Sequence, residues 1–317
     1  MHYDTDLQYI QIGETHTMAV ANSGKIYSWG WNDFNQLGVP QSRFLFPEDS
    51  ESKKNTNSFI NTPLSIKNPR IITTGDNHTY LLDYDNNLYF WGSNETILFN
   101  DSKTKKNQTP MILNLFPERK AIKNIISKGN QTIFLLENGE CFINLDNSAS
   151  LFNPFNKIQI SSVCCSYHFI IFMGKSGLLY SSGSNNSEGE LGHGDRLARN
   201  EPTIIKDLGK EKVLNVECGY KHVIAKTAAN KIFVWGWGKR GQLGLGSLKS
   251  ECSPAQINLG GYSNHGKIVQ IQAGYSSTLI MFENRRIFWW GTNNTLYKQK
   301  NPIEVVFQEK VNFFSHK

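Results

Sequence analysis

Three groupings in the sequence have the side chains of a reactive site. Four histidines, His16, His78, His168 and His222, could ligate a metal, since a neutral imidazole is a common ligand. Gly236, Gly238 and Gly241 stand in the Gly-x-Gly-x-x-Gly spacing of a dinucleotide fingerprint. Glu188, Glu190, His193 and Asp195 lie close enough in the chain to form an acid/base group. Each grouping asks for its own scaffold. A metal centre needs its ligands in one cluster, a pyrophosphate needs a helix N-terminus behind the glycines, and catalysis needs a unique constellation.

The elements around these residues supply something different. Gly13-Glu14-Thr15-His16 recurs as Gly75-Asp76-Asn77-His78 and Gly219-Tyr220-Lys221-His222. Looser copies are Gly129-Asn130-Gln131-Thr132, Cys165-Ser166-Tyr167-His168 and Gly274-Tyr275-Ser276-Ser277. The first positions, 13, 75, 129, 165, 219 and 274, step by 62, 54, 36, 54 and 55 residues, which gives six units with a shortened third. An aromatic–glycine pair follows in Trp29-Gly30, Trp91-Gly92, Trp235-Gly236 and Trp290-Gly291, with weaker versions at Ile143-Asn144 and Ser182-Gly183. The histidines therefore fall on different units, where each is expected to hydrogen-bond backbone near a strand start instead of meeting the others at a metal. Gln242-Leu243-Gly244-Leu245-Gly246 is a poor helix, so the glycines before it read as a turn. The Glu188–Asp195 group lies in the Gly-Glu-Leu-Gly segment that matches that same turn. No catalytic, cofactor or metal residue is expected, and the chain is not expected to be an enzyme.

Each unit divides into short strand-like segments. Ile232, Phe233, Val234 and Trp235 are β-formers, and Ala229-Asn230, Asn22-Ser23-Gly24, Asp85-Asn86-Asn87 and Asn138-Gly139 tolerate the positive φ of tight hairpin turns. A proline followed by an aliphatic residue marks each junction: Pro63, Pro110, Pro154, Pro202, Pro254 and Pro302. A proline suits a strand's first residue, so these segments are expected to open the units. About four short antiparallel strands per repeat of ~50 residues predict a propeller with one blade per unit.

Gly-x-x-His-Thr, then aromatic-x-Trp-Gly-x-Asn, then Gly-Gln-Leu-Gly resembles the regulator of chromosome condensation repeat family, over essentially all of the chain. Units one and five match closely, units two and six lack the Gly-x-Leu-Gly segment, and unit three is eroded. The resemblance implies a β-propeller, usually seven-bladed. It also implies a choice of roles. One is a non-catalytic interaction scaffold in a larger assembly; the others are a guanine-nucleotide exchange factor for a small GTPase and an adaptor for ubiquitin ligases or cilia.

The expected fold is thus an all-β propeller of four-stranded antiparallel blades, six recognisable and a seventh partial, in a single domain over residues 1–317. Pro302-Ile303-Glu304-Val305 looks like a seventh opening, and Val311 and Phe314 align with Val213 and Val216. This C-terminal segment either completes blade one, which lacks a proline-led strand, or starts an unfinished seventh blade.

Composition narrows the partners. The net charge of +6 is modest, and its basic knots (Lys53-Lys54, Lys103 to Lys106, Lys239-Arg240, Arg285-Arg286) lie in different units, so nucleic acid is not the expected partner. No apolar run approaches the ~18 residues of a membrane span, and the first residues carry no apolar signal core. Five cysteines without a Cys-x-x-Cys pattern fit reduced thiols. An intracellular, cytoplasmic location follows, with cytoskeleton, cilium or nucleus open. Two places could anchor a protein partner. Phe44-Leu45-Phe46 either tucks onto a blade edge or stands out of a polar loop. Trp31 and Trp237, one residue beyond the Trp-Gly pair, either line an exposed loop or pack on the next blade.

Overall fold

The computed structural model describes residues 6–39, 55–61, 66, 68–93, 106–116, 120–144, 153–155, 158–259, 265–292 and 297–306. Phe44, Leu45 and Phe46 lie outside them. The described elements are 23 β-strands in six antiparallel sheets, each built from strands consecutive in the chain. The first sheet is β1 (Leu7–Ile12), β2 (His16–Ala21), β3 (Ile26–Trp31) and β4 (Asn55–Asn61). The second is β5 (Pro69–Thr74), β6 (His78–Asp83), β7 (Leu88–Ser93) and β8 (Lys106–Leu113). The shortened third unit gives three strands among the described residues, β9 (Ile122–Lys128), β10 (Gln131–Leu136) and β11 (Cys141–Asn144). The fourth is β12 (Ile160–Cys165), β13 (Phe169–Gly174), β14 (Leu179–Gly183) and β15 (Arg199–Ile204). The fifth is β16 (Val213–Cys218), β17 (His222–Thr227), β18 (Ile232–Gly236) and β19 (Glu251–Gln256). The sixth is β20 (Ile268–Ala273), β21 (Ser277–Phe282), β22 (Ile287–Gly291) and β23 (Gln299–Glu304). This is an all-β propeller, with six blades among the described residues, one per repeat unit.

The blade boundaries differ from the sequence reading. Pro110, Pro202, Pro254 and Pro302 lie in β8, β15, β19 and β23, the last strand of each sheet, and close the unit instead of opening it. Each sits where register slips opposite the aromatic–glycine step: Ser181 pairs Thr203 but Gly183 pairs Arg199, and Val234 pairs Ala255 but Gly236 pairs Glu251. An edge strand has no neighbour for its outer N–H, and a bulge leaves residues unpaired, so proline costs nothing there. The Pro302 segment is accordingly the outer strand of the sixth sheet. The first sheet already holds four strands from residues 7–61 and does not need one from the C-terminus. A seventh blade has no start among the described residues; Val311 and Phe314 lie beyond them.

The chain divides into two compact units, Met1–Val163 and Cys164–Lys317, with the boundary inside β12. Within each unit, cores form between successive sheets. Ile224, Ile232 and Val234 pack with Ile268, Ile271 and Trp290 in the second unit, and Met18, Val20 and Ile26 with Ile72, Leu81 and Trp91 in the first. Second strands such as β6, β10 and β13 are buried at every residue, and in β6 Tyr80 and Leu82 belong to one core and Leu81 to another. Asn86 and Asn230 take the positive φ expected of the hairpin turns, at 63° and 60°. Cys164 and Cys218 form a disulfide between β12 and β16 with Cα atoms 5.7 Å apart, against the expectation of reduced thiols; Cys141, Cys165 and Cys252 are free. Their 54-residue separation is one repeat step, which brings them together on the first strands of successive sheets.

Candidate functional site

The repeat motif forms a polar joint between blades. In the second unit, the His222 Nε2 lies 2.9 Å from the Thr278 hydroxyl of the next sheet, which donates to the Gln242 carbonyl at 2.8 Å. The Trp290 indole N–H donates to that same carbonyl at 2.8 Å. Because the threonine proton is committed to the carbonyl, His222 must donate through Nε2, and burial, which pushes its pKa down to about 4, keeps the ring neutral at pH 7. The joint recurs in the first unit through His16 and Thr79 (2.8 Å), Thr79 and the Gln36 carbonyl (2.9 Å), and Trp91 with that carbonyl (2.8 Å). His78 and Thr132 form a longer version at 3.4 Å. Burial pushes His16 down to about 3 and both His78 and His222 to about 4, with His78 adding to the shift at His16.

The motif's glycines are spaces in this joint. A Cβ on Gly219 would run into the His222 ring and come 2.6 Å from the Gly274 carbonyl. One on Gly244 would stand 2.7 Å from the Trp290 indole nitrogen and bar it from Gln242. Gly236 closes β18 at φ 94°, opposite His222, and Gly30 and Gly92, at φ 113° and 106°, stand opposite His16 and His78. Trp235 and Trp290 are fully buried like Trp91, whereas Trp29 is half-buried against Ala19, Ala21 and Tyr27. Gly13, Gly75 and Gly219 open the turns, and Gly291 ends β22 opposite Ser277.

His168 does not belong to this set. Phe169 pairs with Gly183, the place taken by His222 opposite Gly236, so the fourth copy runs Ser166-Tyr167-His168-Phe169, one residue later than expected. His168 is exposed. The following blade carries Val223 where the second, third and sixth have Thr79, Thr132 and Thr278, and Phe169 and Val223 share one apolar core. A polar pair has been exchanged for an apolar one of matching chemistry.

The other reactive groupings are also turn parts. The Glu190 side chain accepts the Glu188 N–H at 2.9 Å, as Gln242 accepts that of Arg240 at 2.9 Å, and the Glu190 carbonyl receives the Trp235 indole at 2.9 Å. Burial alone would raise the Glu188 carboxyl, but hydrogen bonds from Lys239 and Ser250 outweigh it and hold the group below its usual range. Hydrogen bonding from Arg199 does the same for Asp195, and His193 meets Ser181 at 2.8 Å. Residues 237–246, after the Gly236 step, form turns and bends in place of the helix a pyrophosphate needs. Among the described residues no group of three or more His, Cys, Asp or Glu is placed to hold a metal, and no helix is long and apolar enough to cross a membrane.

What faces outward at the same end of the second unit is aromatic. Tyr220 and Tyr275 stack with centroids 4.3 Å apart and planes at 11°, and Tyr167 meets Tyr220 at 6.0 Å. Tyr275 is 57% exposed. The Lys221 ammonium lies 5.9 Å from the Tyr220 ring, its carbonyl accepts the Trp237 N–H at 2.7 Å, and Arg240 stands 5.5 Å over the half-buried Trp237 ring. Trp31 is half-buried in the first unit, its N–H bonded to the Thr15 carbonyl at 2.8 Å. The sequence reading found Trp237 but missed the tyrosines. Their signal is the residue after the turn's first position, which is Glu14, Asp76 and Asn130 in the first three units and Tyr167, Tyr220 and Tyr275 in the last three.

Known proteins match this chain along most of its length. The regulator of chromosome condensation (RCC1) repeat model matches residues 23–82, 176–225 and 230–281, and a second model of that repeat matches 9–36. The ultraviolet-B receptor UVR8 of Arabidopsis thaliana is 28% identical over 309 residues, covering 90% of this chain. This chain spans less than two thirds of the length of the first curated relatives it matches, 66% of UVR8 and 59% of the next. Among solved structures, human WBSCR16 superposes with a TM-score of 0.77 at 16% identity over 97% of this chain and 84% of its own. Prp20p of Saccharomyces cerevisiae, a protein with binding properties to Gsp1p and histones, superposes with a TM-score of 0.72 at 18% identity, over 89% of this chain and 74% of its own.

Proposed function

Because the chain belongs to the regulator of chromosome condensation (RCC1) repeat family, we propose that it is a non-catalytic protein-docking propeller, one domain over residues 1–317 that serves as a subunit of a larger intracellular assembly. The observation that carries this reading is the division of labour in the repeat. The polar motif residues are consumed in joints between blades, while the turn end of the second unit offers Tyr167, Tyr220, Tyr275 and Trp237 on rigid hairpins. Aromatic side chains held this way lose little freedom on binding, which suits them to anchor a protein partner. Cytoplasm, cytoskeleton or cilium, and nucleus all fit such a role.

A second reading is guanine-nucleotide exchange on a small GTPase. Its support is the likeness to Prp20p and that protein's binding properties to Gsp1p. One experiment separates the two: purification of the tagged chain from its own cells in EDTA, with mass spectrometry of what accompanies it. EDTA strips Mg²⁺ and favours a nucleotide-free GTPase complex. A stoichiometric set of proteins unmoved by added GTP is the expected result. A lone small GTPase released by GTP overturns docking in favour of exchange.

A further inference from the structure

The cations on the aromatic face are arranged unevenly. The carboxylates near it are turned inward: the Glu190 side chain is 2% exposed and Glu188 14%, and each lies against a lysine, Lys221 at 4.0 Å and Lys239 at 2.8 Å. The cations stand further out, with Lys239 63% exposed and Lys221 22%. Arg240 is spread over Trp237. From Tyr275 the ring contacts run to Tyr220 and the Lys221 ammonium, and a backbone hydrogen bond from Trp237 to the Lys221 carbonyl places Trp237, with Arg240 over its ring, next along the strip.

We propose that this strip, from Tyr275 to Arg240, is a docking surface for an acidic, extended protein segment. The inference rests on the docking reading above and names the chemistry of the partner. Carboxylates match the outward cations, and apolar side chains between them match the aromatic faces. A single-stranded nucleic acid would also want aromatics and cations, but it needs open ring faces on which bases stack. Here Tyr220 and Tyr275 already close on each other at 4.3 Å, leaving no slot for a base between them.

The test uses the full chain and fluorescence anisotropy with labelled peptides of a repeating Glu-Val pattern, the same peptide with Gln or Lys for Glu, and oligothymidine. The Glu peptide should bind at least about tenfold tighter than the Gln peptide, with the preference shrinking as salt rises. Tyr275→Ala and Arg240→Ala should each weaken it severalfold with an unchanged melting temperature. Equal binding of the Glu and Gln peptides, tighter binding of the Lys peptide or of oligothymidine, or indifference to both substitutions overturns the proposal. A partner set that co-purifies but is not displaced by the Glu peptide also overturns it, and leaves the docking reading standing.

Discussion

At the residue scale the decisive fact is that the His222 Nε2, the Thr278 hydroxyl, the Gln242 carbonyl and the Trp290 indole form one hydrogen-bonded chain. Thr278→Val keeps the shape and deletes the hydroxyl, so the His222 Nε2–H loses its acceptor in a site excluded from water. The expected cost is about 1–3 kcal/mol in chemical denaturation. Adding His222→Phe should recover part of it, because Phe169 and Val223 already form that apolar pair in the preceding joint. Costs that simply add would show that the two residues are not coupled. Glu217 makes a second case. Burial pushes its carboxyl up to about 7, above the unfolded value near 4.5. The folded state then holds a proton that the unfolded state has lost, so this group's contribution is present below pH ~4.5 and disappears as pH rises through 7. Glu217→Gln should therefore raise the melting temperature at pH 8 and change it little at pH 4.5; a uniform shift at both would place the effect elsewhere. The buried histidines act with the opposite sign. With folded values near 3 to 4, they withdraw stability as pH falls from about 6.5 towards 4.

At the element scale, the strands and turns were legible because their chemistry is local. Asn230 announces a positive φ, and Ile232 to Trp235 announces a strand. The proline strands were assigned to the wrong side of the boundary, because sequence shows that proline avoids a ladder but not which edge it sits on. The slip at Tyr167-His168-Phe169 came from following histidine identity when the register is set by Gly183. The tyrosine row was visible only as a column through the repeats and not along any one of them. The disulfide was missed for a similar reason: Cys164 and Cys218 look unrelated until a 54-residue step is read as one blade. That bond closes a long loop, so in the chain-entropy account it stabilises by about 4 kcal/mol. Cys164→Ser should lower the denaturation midpoint, and reductant should bring the wild-type chain down to the same value while leaving the variant unmoved. A wild-type midpoint insensitive to reductant would mean that the bond does not form in solution.

At the scale of the whole molecule, the question is whether residues 1–163 and 164–317 unfold together. The sequence gives no compositional break, and the same joint occurs in both units, through Gln36 in one and Gln242 in the other. Repeat architectures hold by nearest-neighbour contacts and can open piecemeal, whereas a single domain opens as a whole. Trp235→Ala distinguishes the two. Trp235 is fully buried in the core shared by Phe169, Val213 and Val216, and truncating it should cost roughly 3–5 kcal/mol. Amide exchange of β17 in the second unit reports that loss directly, and β6 in the first unit reports whether it is shared. In one domain, the most protected amides of His78–Asp83 lose the same free energy as those of His222–Thr227. If β6 keeps its full protection while β17 loses its own, the chain is two domains, and the docking face of the second unit can be studied apart from the first.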